Sequence, residues 1–183
     1  MRRLETRLHG PVLIEPSVHG DERGFFQETF RKNVFEELGV AEEWVQDNHS
    51  RSRKGVLRGM HFQRGMAKLV RCARGSMVDV LADVRDGSPS FGEWESYELD
   101  DANGRQLYAP EGFAHGFCVT SDLADVIYKC STYYDPALEG GFRFNDPAVG
   151  IEWPDLELAV SDRDAGAPLL GELTGLPVRY RAG

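Results

Sequence analysis

The stretch Met77-Val78-Asp79-Val80-Leu81-Ala82-Asp83-Val84 gives the first indication of how this chain folds. Its even-numbered positions are all apolar, whereas two of its odd-numbered positions are aspartates. Alternation with a period of two residues is typical of a β-strand that has one buried face. We therefore expect a strand here, with the even-numbered side chains in the core and the aspartates on the opposite face.

Other parts of the sequence repeat this pattern in short β-rich runs that are bounded by turn residues. These runs occupy 12–15, 25–30, 44–48, 56–62, 68–73, 94–99, 106–109, 115–119 and 126–133. Their spacing predicts an all-β sandwich or jelly roll. One helix is expected over 31–38, with Gly39 placed to cap its end. At 109–112, Pro110 is expected at the second position of a type I turn that Gly112 closes.

The length of 183 residues suits a single domain over 1–183, with a core that needs neither disulfides nor a structural metal. No linker, repeat or low-complexity tract divides the chain. The first residues lack the apolar core of a signal peptide, and no apolar run reaches the roughly 18 residues that a membrane helix needs. These features predict a soluble, cytoplasmic protein. Cys72, Cys118 and Cys130 form no C-x-x-C pair and are expected to be reduced, buried thiols.

The formal charge of −9 argues against a protein that binds nucleic acid or a membrane surface in general. One segment, 51–74, has the opposite character, because it contains basic residues and no Asp or Glu. The basic residues are Arg51, Arg53, Lys54, Arg58, Arg64, Lys68, Arg71 and Arg74. Such a run is either a solvated strand face or a small anion site. On an acidic protein, the second interpretation favours a discrete phosphate ligand over a long polyanion.

Sequence signatures of phosphoryl transfer, dinucleotide binding, zinc proteolysis and serine hydrolysis are absent. What remains is a set of polar residues within apolar strands: Arg58, His61, Gln63, Lys68, His115, Tyr128 and Lys129. Because Arg58 and His61 are three positions apart, a regular strand would point them to opposite faces. Both can serve one site only if the strand bends, and Gly59 could supply that bend.

Several longer motifs point to a known family. They are Gly20-Asp21-Glu22-Arg23-Gly24-Phe25-Phe26-Gln27-Glu28, Val45-Gln46-Asp47-Asn48-His49-Ser50, Gly55-Val56-Leu57-Arg58-Gly59-Met60-His61-Phe62-Gln63, Lys68-Leu69-Val70-Arg71, Pro110-Glu111-Gly112-Phe113-Ala114-His115-Gly116-Phe117, Asn145-Asp146-Pro147 and Gly150-Ile151-Glu152-Trp153-Pro154. In this order they resemble the dTDP-4-dehydrorhamnose 3,5-epimerase family. The resemblance implies a cupin jelly roll (double-stranded β-helix) with short peripheral helices, a homodimer, no cofactor, no metal, and a substrate of the dTDP-4-keto-6-deoxyglucose type.

The resemblance also implies the catalytic residues. His61 would be the base, Asp164 its orienting partner and Tyr128 the acid, while Lys68 would face the ketone oxygen. A proton beside a ketone becomes acidic when a nearby donor stabilises the charge that develops on the oxygen, and a neutral histidine can then remove that proton. Reprotonation by Tyr128 from the opposite side would invert the carbon centre.

By the same resemblance, nine residues line the nucleotide and sugar site: Arg23, Glu28, Gln46, Asp47, Asn48, Arg58, His115, Glu139 and Arg163. The arginines suit a diphosphate, because a planar guanidinium can bind two oxygens at once. Phe26 either stacks on the base or packs in the core. The segment 23–28 is implied to reach into the site of the partner subunit.

This chain departs from the usual family pattern in three ways: Arg163 replaces Lys, Phe144 replaces Trp, and the loop at 64–67 is short. The loop leaves open whether C3, C5 or both are inverted, so a single-site epimerase of a deoxysugar antibiotic pathway stays an alternative. A metal-dependent cupin oxygenase is less well supported, since Gln63 and Lys68 stand where ligands would be needed. A non-catalytic nucleotide-sugar binding module would not need His61, Asp164 and Tyr128 together.

Overall fold

The computed structural model describes residues 1–181, so the last two residues of the expected domain 1–183 lie outside it. Within the described residues the chain forms fourteen strands, two short α-helices and a 3-10 helix. The strands are β1 (Arg2–Leu4), β2 (Val12–Glu15), β3 (Val18–Asp21), β4 (Gly24–Gln27), β5 (Gln46–Arg53), β6 (Val56–Gln63), β7 (Lys68–Arg74), β8 (Ser76–Asp83), β9 (Trp94–Asp100), β10 (Gln106–Ala109), β11 (Phe113–Val119), β12 (Leu123–Cys130), β13 (Glu139–Gly141) and β14 (Ala159–Val160). The helices are α1 (Lys32–Glu37), α2 (Asp162–Ala165) and the 3-10 helix Leu170–Glu172. None of these helices is long and apolar enough to span a membrane.

Two sheets account for most of the fold. The first has the order β1-β2-β10-β7-β12-β5, and the second has the order β13-β6-β11-β8-β9 with β14 parallel to β6. All other pairings between these fourteen strands are antiparallel, and β3 and β4 form a separate hairpin. The all-β jelly roll with short peripheral helices that the sequence predicted is therefore confirmed.

The core lies between the two sheets and is built by side chains from both. Its fully buried members include Val70, Leu81, Leu99, Leu107 and Val126. Burial of each such side chain contributes about 1.5–3 kcal/mol, so this interior is the main source of stability. The expected helix is confirmed as α1, which buries Phe35 against the outer face of the first sheet together with Val12 and Ile14.

The strand predicted from the opening stretch is confirmed as β8, but its expected one-sided burial is wrong. Met77 and Leu81 face the core, while Val80 and Ala82 pack on the other side against Phe142. The outer face is buried because the C-terminal part of the chain covers it. Asp79 and Asp83 are fully buried as well, so alternation in this strand separates two buried faces.

The turn before β11 begins one residue later than the sequence predicted. The Phe113 N–H donates to the Pro110 carbonyl at 3.4 Å, so the turn spans 110–113 and Gly112 occupies its third position. Gly112 has φ +94°, which fits a type II turn rather than type I. Four strands and one α-helix were not predicted from the sequence. β1, β13, β14 and α2 are too short to show a period, and β3 is an exposed Val-His-Gly-Asp stretch without apolar alternation.

The bend that was expected at Gly59 is present, and it orients the polar residues of β6. Phe117 pairs with Arg58 and His115 pairs with His61, so three steps on β6 match two steps on β11. The extra residue is a β-bulge, and it allows Arg58 and His61 to face the same side. A side chain on Gly59 would lie 2.5 Å from the Gly116 Cα atom, so only glycine permits this approach.

Gly75 in the turn between β7 and β8 links the two sheets, and it gives a test of the packing. Gly75 and Gly87 have nearly equal φ values, +76° and +72°. A methyl group on Gly75 would overlap the Leu123 carbonyl, whereas one on Gly87 has open space. Gly87→Ala should therefore lower the free energy of unfolding by only about 1–2 kcal/mol, the cost of placing an alanine at positive φ. Gly75→Ala should lower the free energy of unfolding by about 1–3 kcal/mol more, because the added methyl group overpacks the site.

Urea denaturation of the two variants measures this difference directly. Equal losses of unfolding free energy would show that the backbone of β12 yields to the added methyl group, and that the turn does not fix the distance between the sheets.

Candidate active site

Two adjoining cavities open between the sheets where β5, β6, β7 and β12 meet. The first cavity, of about 220 Å³, is lined by Gln46, Asn48, His61, Phe62, Gln63, Met66, Lys68, Tyr128, Cys130, Tyr134 and Glu139. The second cavity, of about 310 Å³, is lined by Ser50, Arg58, His61, Lys68, His115, Phe117, Tyr128, Glu139, Ser161, Arg163 and Asp164. His61, Lys68, Tyr128 and Glu139 belong to both, so these four side chains stand at the junction.

His61 and Asp164 form a hydrogen-bonded pair at this junction. The His61 Nε2 atom lies 2.7 Å from Asp164 Oδ1, and the Gly59 N–H donates to Asp164 Oδ2 at 3.2 Å. β14 brings α2 to this position by pairing with β6. Ser161 then caps α2 by accepting the Asp164 N–H at 3.1 Å. The carboxylate is thus held by backbone contacts as well as by the histidine.

Burial sets the direction of the pKa shift in three of the four shared side chains. It lowers the pKa of His61 below its ordinary value of 6.5, and the Asp164 carboxylate opposes this shift without cancelling it. It raises the pKa of the Tyr128 hydroxyl and lowers the pKa of the Lys68 ammonium. At neutral pH His61 is therefore a neutral imidazole and Tyr128 a protonated phenol, which are the forms of a base and an acid.

A second buried pair lies beside the first. His115 is opposite His61 in the β6–β11 pairing, and its Nε2 atom lies 2.8 Å from Asp79 Oδ1. The Asp79 side chain is fully buried. His115 was expected in the site, whereas Asp79 was expected on the face opposite the core. Asp79 in fact shares the face of Met77 and Leu81 between the two sheets, which the local pattern could not distinguish from the face that the C-terminal part of the chain covers.

The second cavity is the basic part of the site. Arg58 lines it and donates to Ser52 Oγ at 3.2 Å, and Arg163 lies 2.6 Å from Glu139 Oε2. Both guanidinium groups are on the same cavity as Lys68. Arg51 in contrast pairs with Asp125 away from the cavities. The basic run 51–74 therefore divides between a cavity lining and a surface network.

Four of the residues that the resemblance assigned to the site do not line either cavity. Arg23 and Phe26 are on the β3–β4 hairpin, and Glu28 pairs with Arg31 at 2.9 Å. Asp47 pairs with Lys129 at 3.0 Å. Asp47 lies on the other side of β5 from Gln46 and Asn48, because alternate residues of a strand face opposite sides, and its assignment to the site stays a prediction.

Several cavity residues were not identified from the sequence, among them Met66, Cys130 and Tyr134, and Gln63 was noted as a polar strand residue but was given no role. Tyr134 follows β12 in an irregular segment, where no periodicity marks it. Cys130 could have been found, because it shares the inward phase of Tyr128 on β12. Among residues 1–181, no three His, Cys, Asp or Glu side chains are grouped so as to hold a metal ion. Metal independence stays a prediction that chelation tests.

Comparison with known proteins identifies the family. The family model described as dTDP-4-dehydrorhamnose 3,5-epimerase matches residues 5–172. The dTDP-4-dehydrorhamnose 3,5-epimerase of Salmonella typhimurium is 51% identical over 92% of this chain and 95% of its own length.

Solved structures agree with the sequence match. A dTDP-6-deoxy-D-glucose-3,5-epimerase from Legionella pneumophila, in complex with dTDP-4-keto-L-rhamnose, superimposes with a TM-score of 0.95 at 44% identity and covers 99% of both chains. A 3'-monoepimerase from Streptomyces bikiniensis, in complex with dTDP-quinovose, has a TM-score of 0.87 at 38% identity over 93% of this chain and 88% of its own. The chain therefore belongs to the dTDP-4-dehydrorhamnose 3,5-epimerase family of isomerases.

Proposed function

We propose that this chain converts dTDP-4-keto-6-deoxyglucose to dTDP-4-keto-L-rhamnose by inverting C3 and C5. The observation that carries the proposal is the position of His61 and Tyr128 on opposite sheets, β6 and β12, at the junction of the two cavities. A sugar ring between the sheets would present one face to the imidazole and the other to the phenol. Removal of a proton on one face and its return on the other inverts the centre.

His61 serves as the base in this proposal. A neutral imidazole takes the proton beside the C4 ketone, and the imidazolium that forms is stabilised by Asp164 at 2.7 Å. Asp164 also fixes the ring orientation, because its other oxygen is bound to the Gly59 N–H. The carboxylate is thus an orienting partner, and the imidazole is the group that reaches the substrate.

Lys68 and Tyr128 complete the proton transfers. The Lys68 ammonium stabilises the negative charge on the ketone oxygen as the enolate forms. The enolate in turn favours the ammonium form, which offsets the effect of burial on the Lys68 pKa. Tyr128 then delivers its proton to the far face, and its raised pKa keeps the hydroxyl protonated until that step.

The nucleotide part is assigned to polar residues of the two cavities. Arg58 and Arg163 suit the diphosphate, since both are on the second cavity and a guanidinium binds two phosphate oxygens at once. Glu139 orients Arg163 through their 2.6 Å contact. Gln46 and Asn48 line the first cavity and offer amide groups to the nucleoside.

A homodimer would complete the site. In the β3–β4 hairpin, Phe25 is 67% exposed and Phe26 is 70% exposed. Because an isolated two-stranded hairpin is only marginally stable, these exposed apolar side chains favour docking on another surface. We propose that the hairpin docks on a second copy and brings Arg23, Phe26 and Glu28 to its partner's cavities. We propose that the chain is one cupin-type epimerase domain. We also place the protein in the cytoplasm, because its three cysteines are free thiols.

A single-site epimerase is the second candidate. The match to a 3'-monoepimerase with a TM-score of 0.87 supports it, because both activities use the same fold. The number of carbons that exchange with solvent distinguishes the two functions, so the activity assay must report each carbon separately.

The first test is an NMR assay of dTDP-4-keto-6-deoxyglucose in deuterated water with a chelator present. Wild-type protein should introduce deuterium at C3 and C5 with inversion. His61→Asn should lose both exchange and inversion by about 10²–10⁴-fold, because no enolate forms without a base. Tyr128→Phe should keep exchange but lose inversion, since deuterium then returns only from the His61 face.

Each outcome of this assay has a distinct meaning. Exchange at one carbon assigns the single-site function, and loss of turnover on chelation would contradict the metal-free mechanism. Continued exchange in His61→Asn, or inversion at the wild-type rate in Tyr128→Phe, would show that the base or the acid is another residue.

The second test concerns the pH dependence that Asp164 imposes. Its negative charge raises the His61 pKa, so Asp164→Asn should lower that pKa further. The acid limb of the kcat/KM profile should then move to lower pH, while the maximum falls by about 10²-fold or more. Asp162→Asn is the matched control, because Asp162 is an exposed residue of the same helix and should leave the profile unchanged. An acid limb that stays in place or moves to higher pH would contradict the pairing.

The third test mixes inactive variants to detect a shared site. The double variant Arg23→Ala, Phe26→Ala is defective in the hairpin, and His61→Asn is defective in the cavity. Random mixing should restore about a quarter of wild-type activity, because about half of the dimers are mixed and each has one complete site. A mixture of His61→Asn with Tyr128→Phe is the control and should stay inactive, since both defects affect the site of their own chain. No restoration in the first mixture would place the hairpin outside the partner's site.

A further inference from the structure

Gln63 is buried at the end of β6, and its amide is fully engaged in hydrogen bonds to one segment. Its Nε2 atom donates to Thr132 Oγ1 at 3.3 Å and to the Tyr133 carbonyl at 3.0 Å. Its Oε1 atom accepts the Asp135 N–H at 2.9 Å. Both amide N–H groups and the carbonyl oxygen are therefore used, and the residue is only 4% exposed. Such a side chain has no free N–H group to offer to a substrate.

The segment 131–138, which connects β12 to β13, is fixed at its two ends by backbone bonds: the Ser131 N–H donates to the Ala67 carbonyl at 3.0 Å, and the Arg64 N–H donates to the Leu138 carbonyl at 3.1 Å. The part between these ends has few other contacts. It forms no strand, and Tyr133 and Tyr134 are 73% and 52% exposed, so apolar burial contributes little to its position. A second amide side chain binds it from β5, where Gln46 Oε1 accepts the Tyr134 N–H at 2.9 Å. The central part of the segment is thus held in place by polar bonds from two neighbouring strands.

The position of this segment determines part of the cavity wall. Tyr134 lines the first cavity, and its hydroxyl donates to Glu139 Oε2 at 2.9 Å. The same oxygen lies 2.6 Å from Arg163 Nη2 in the second cavity. A shift of the segment would therefore move one wall of the first cavity and weaken the contact that holds Arg163 in the second.

We propose that Gln63 is a positioning residue that fixes the segment 131–138 as a wall of the substrate cavity. This inference rests on the proposed function and adds to it a residue that acts through Tyr134 and Glu139. Loss of the three hydrogen bonds leaves His61, Asp164 and Tyr128 in place, because none of them contacts the segment through these bonds. The effect should therefore appear in substrate binding more than in the chemical step.

The test uses Gln63→Met, which keeps the length of the side chain and removes its hydrogen bonds. Hydrogen–deuterium exchange of the peptide that covers 131–138 should become about tenfold faster. KM for the nucleotide sugar should rise about tenfold, while kcat changes by less than about threefold and the acid limb of the pH profile stays in place. Gln63→Glu is the second variant if the first does not fold. It keeps an acceptor for the Asp135 N–H but has no donor for the Tyr133 carbonyl.

Ser121→Ala is the matched control. Ser121 Oγ also bonds to a loop: it accepts the Ser76 N–H, and its single hydroxyl proton is shared between the Ser76 and Leu123 carbonyl oxygens, near the other end of β12. This variant should lose stability without a change in KM. Unchanged exchange in 131–138 in the Gln63 variants would overturn the inference, as would a loss of kcat at constant KM. A wild-type protein without epimerase activity would refute the proposed function alone, because the exchange measurement does not depend on turnover.

Discussion

The close approach of β6 and β11 at Gly59 and Gly116 is the constraint on which the site depends. A side chain on Gly59 would lie 2.5 Å from Gly116 Cα, so the two strands can approach this closely only when residue 59 has no side chain. The bulge that results turns Arg58 and His61 to the same side, toward His115 and Phe117. It also leaves the Gly59 N–H free to bind Asp164. One backbone irregularity thus places a cation, a base and the partner of that base on one cavity.

The interior of the jelly roll is divided into an apolar part and a polar part. Apolar side chains from both sheets fill one part and provide the stability that allows charged groups to be buried in the other. His61 and His115 each lie next to a buried carboxylate, at 2.7 and 2.8 Å. The same burial that costs free energy produces the neutral imidazole and the protonated phenol that proton transfer needs.

Irregular segments around the cavities are positioned by hydrogen bonds rather than by apolar contacts. Ser161 and the pairing of β14 with β6 hold α2, which carries Asp164. Gln63 and Gln46 hold the segment that carries Tyr134. Polar bonds of this kind depend strongly on direction, so they fix the orientation of a side chain where a hydrophobic contact would leave it free. This is consistent with a site in which two groups must meet opposite faces of one ring.

The sequence by itself determined the all-β fold, most strand positions, helix α1, the free cysteines and the set of motifs that identified the family. It also indicated the bend at Gly59, because Arg58 and His61 could not otherwise share a face. These features depend on local period and on residue type, which a sequence displays directly. The tertiary structure alone decided that Asp79 and Asp83 are buried, that Asp47 faces away from Gln46 and Asn48, and that Gln63 binds a distant segment. Each of these depends on which part of the chain covers a strand face or lies beside a side chain, and residues far apart in sequence supply those neighbours.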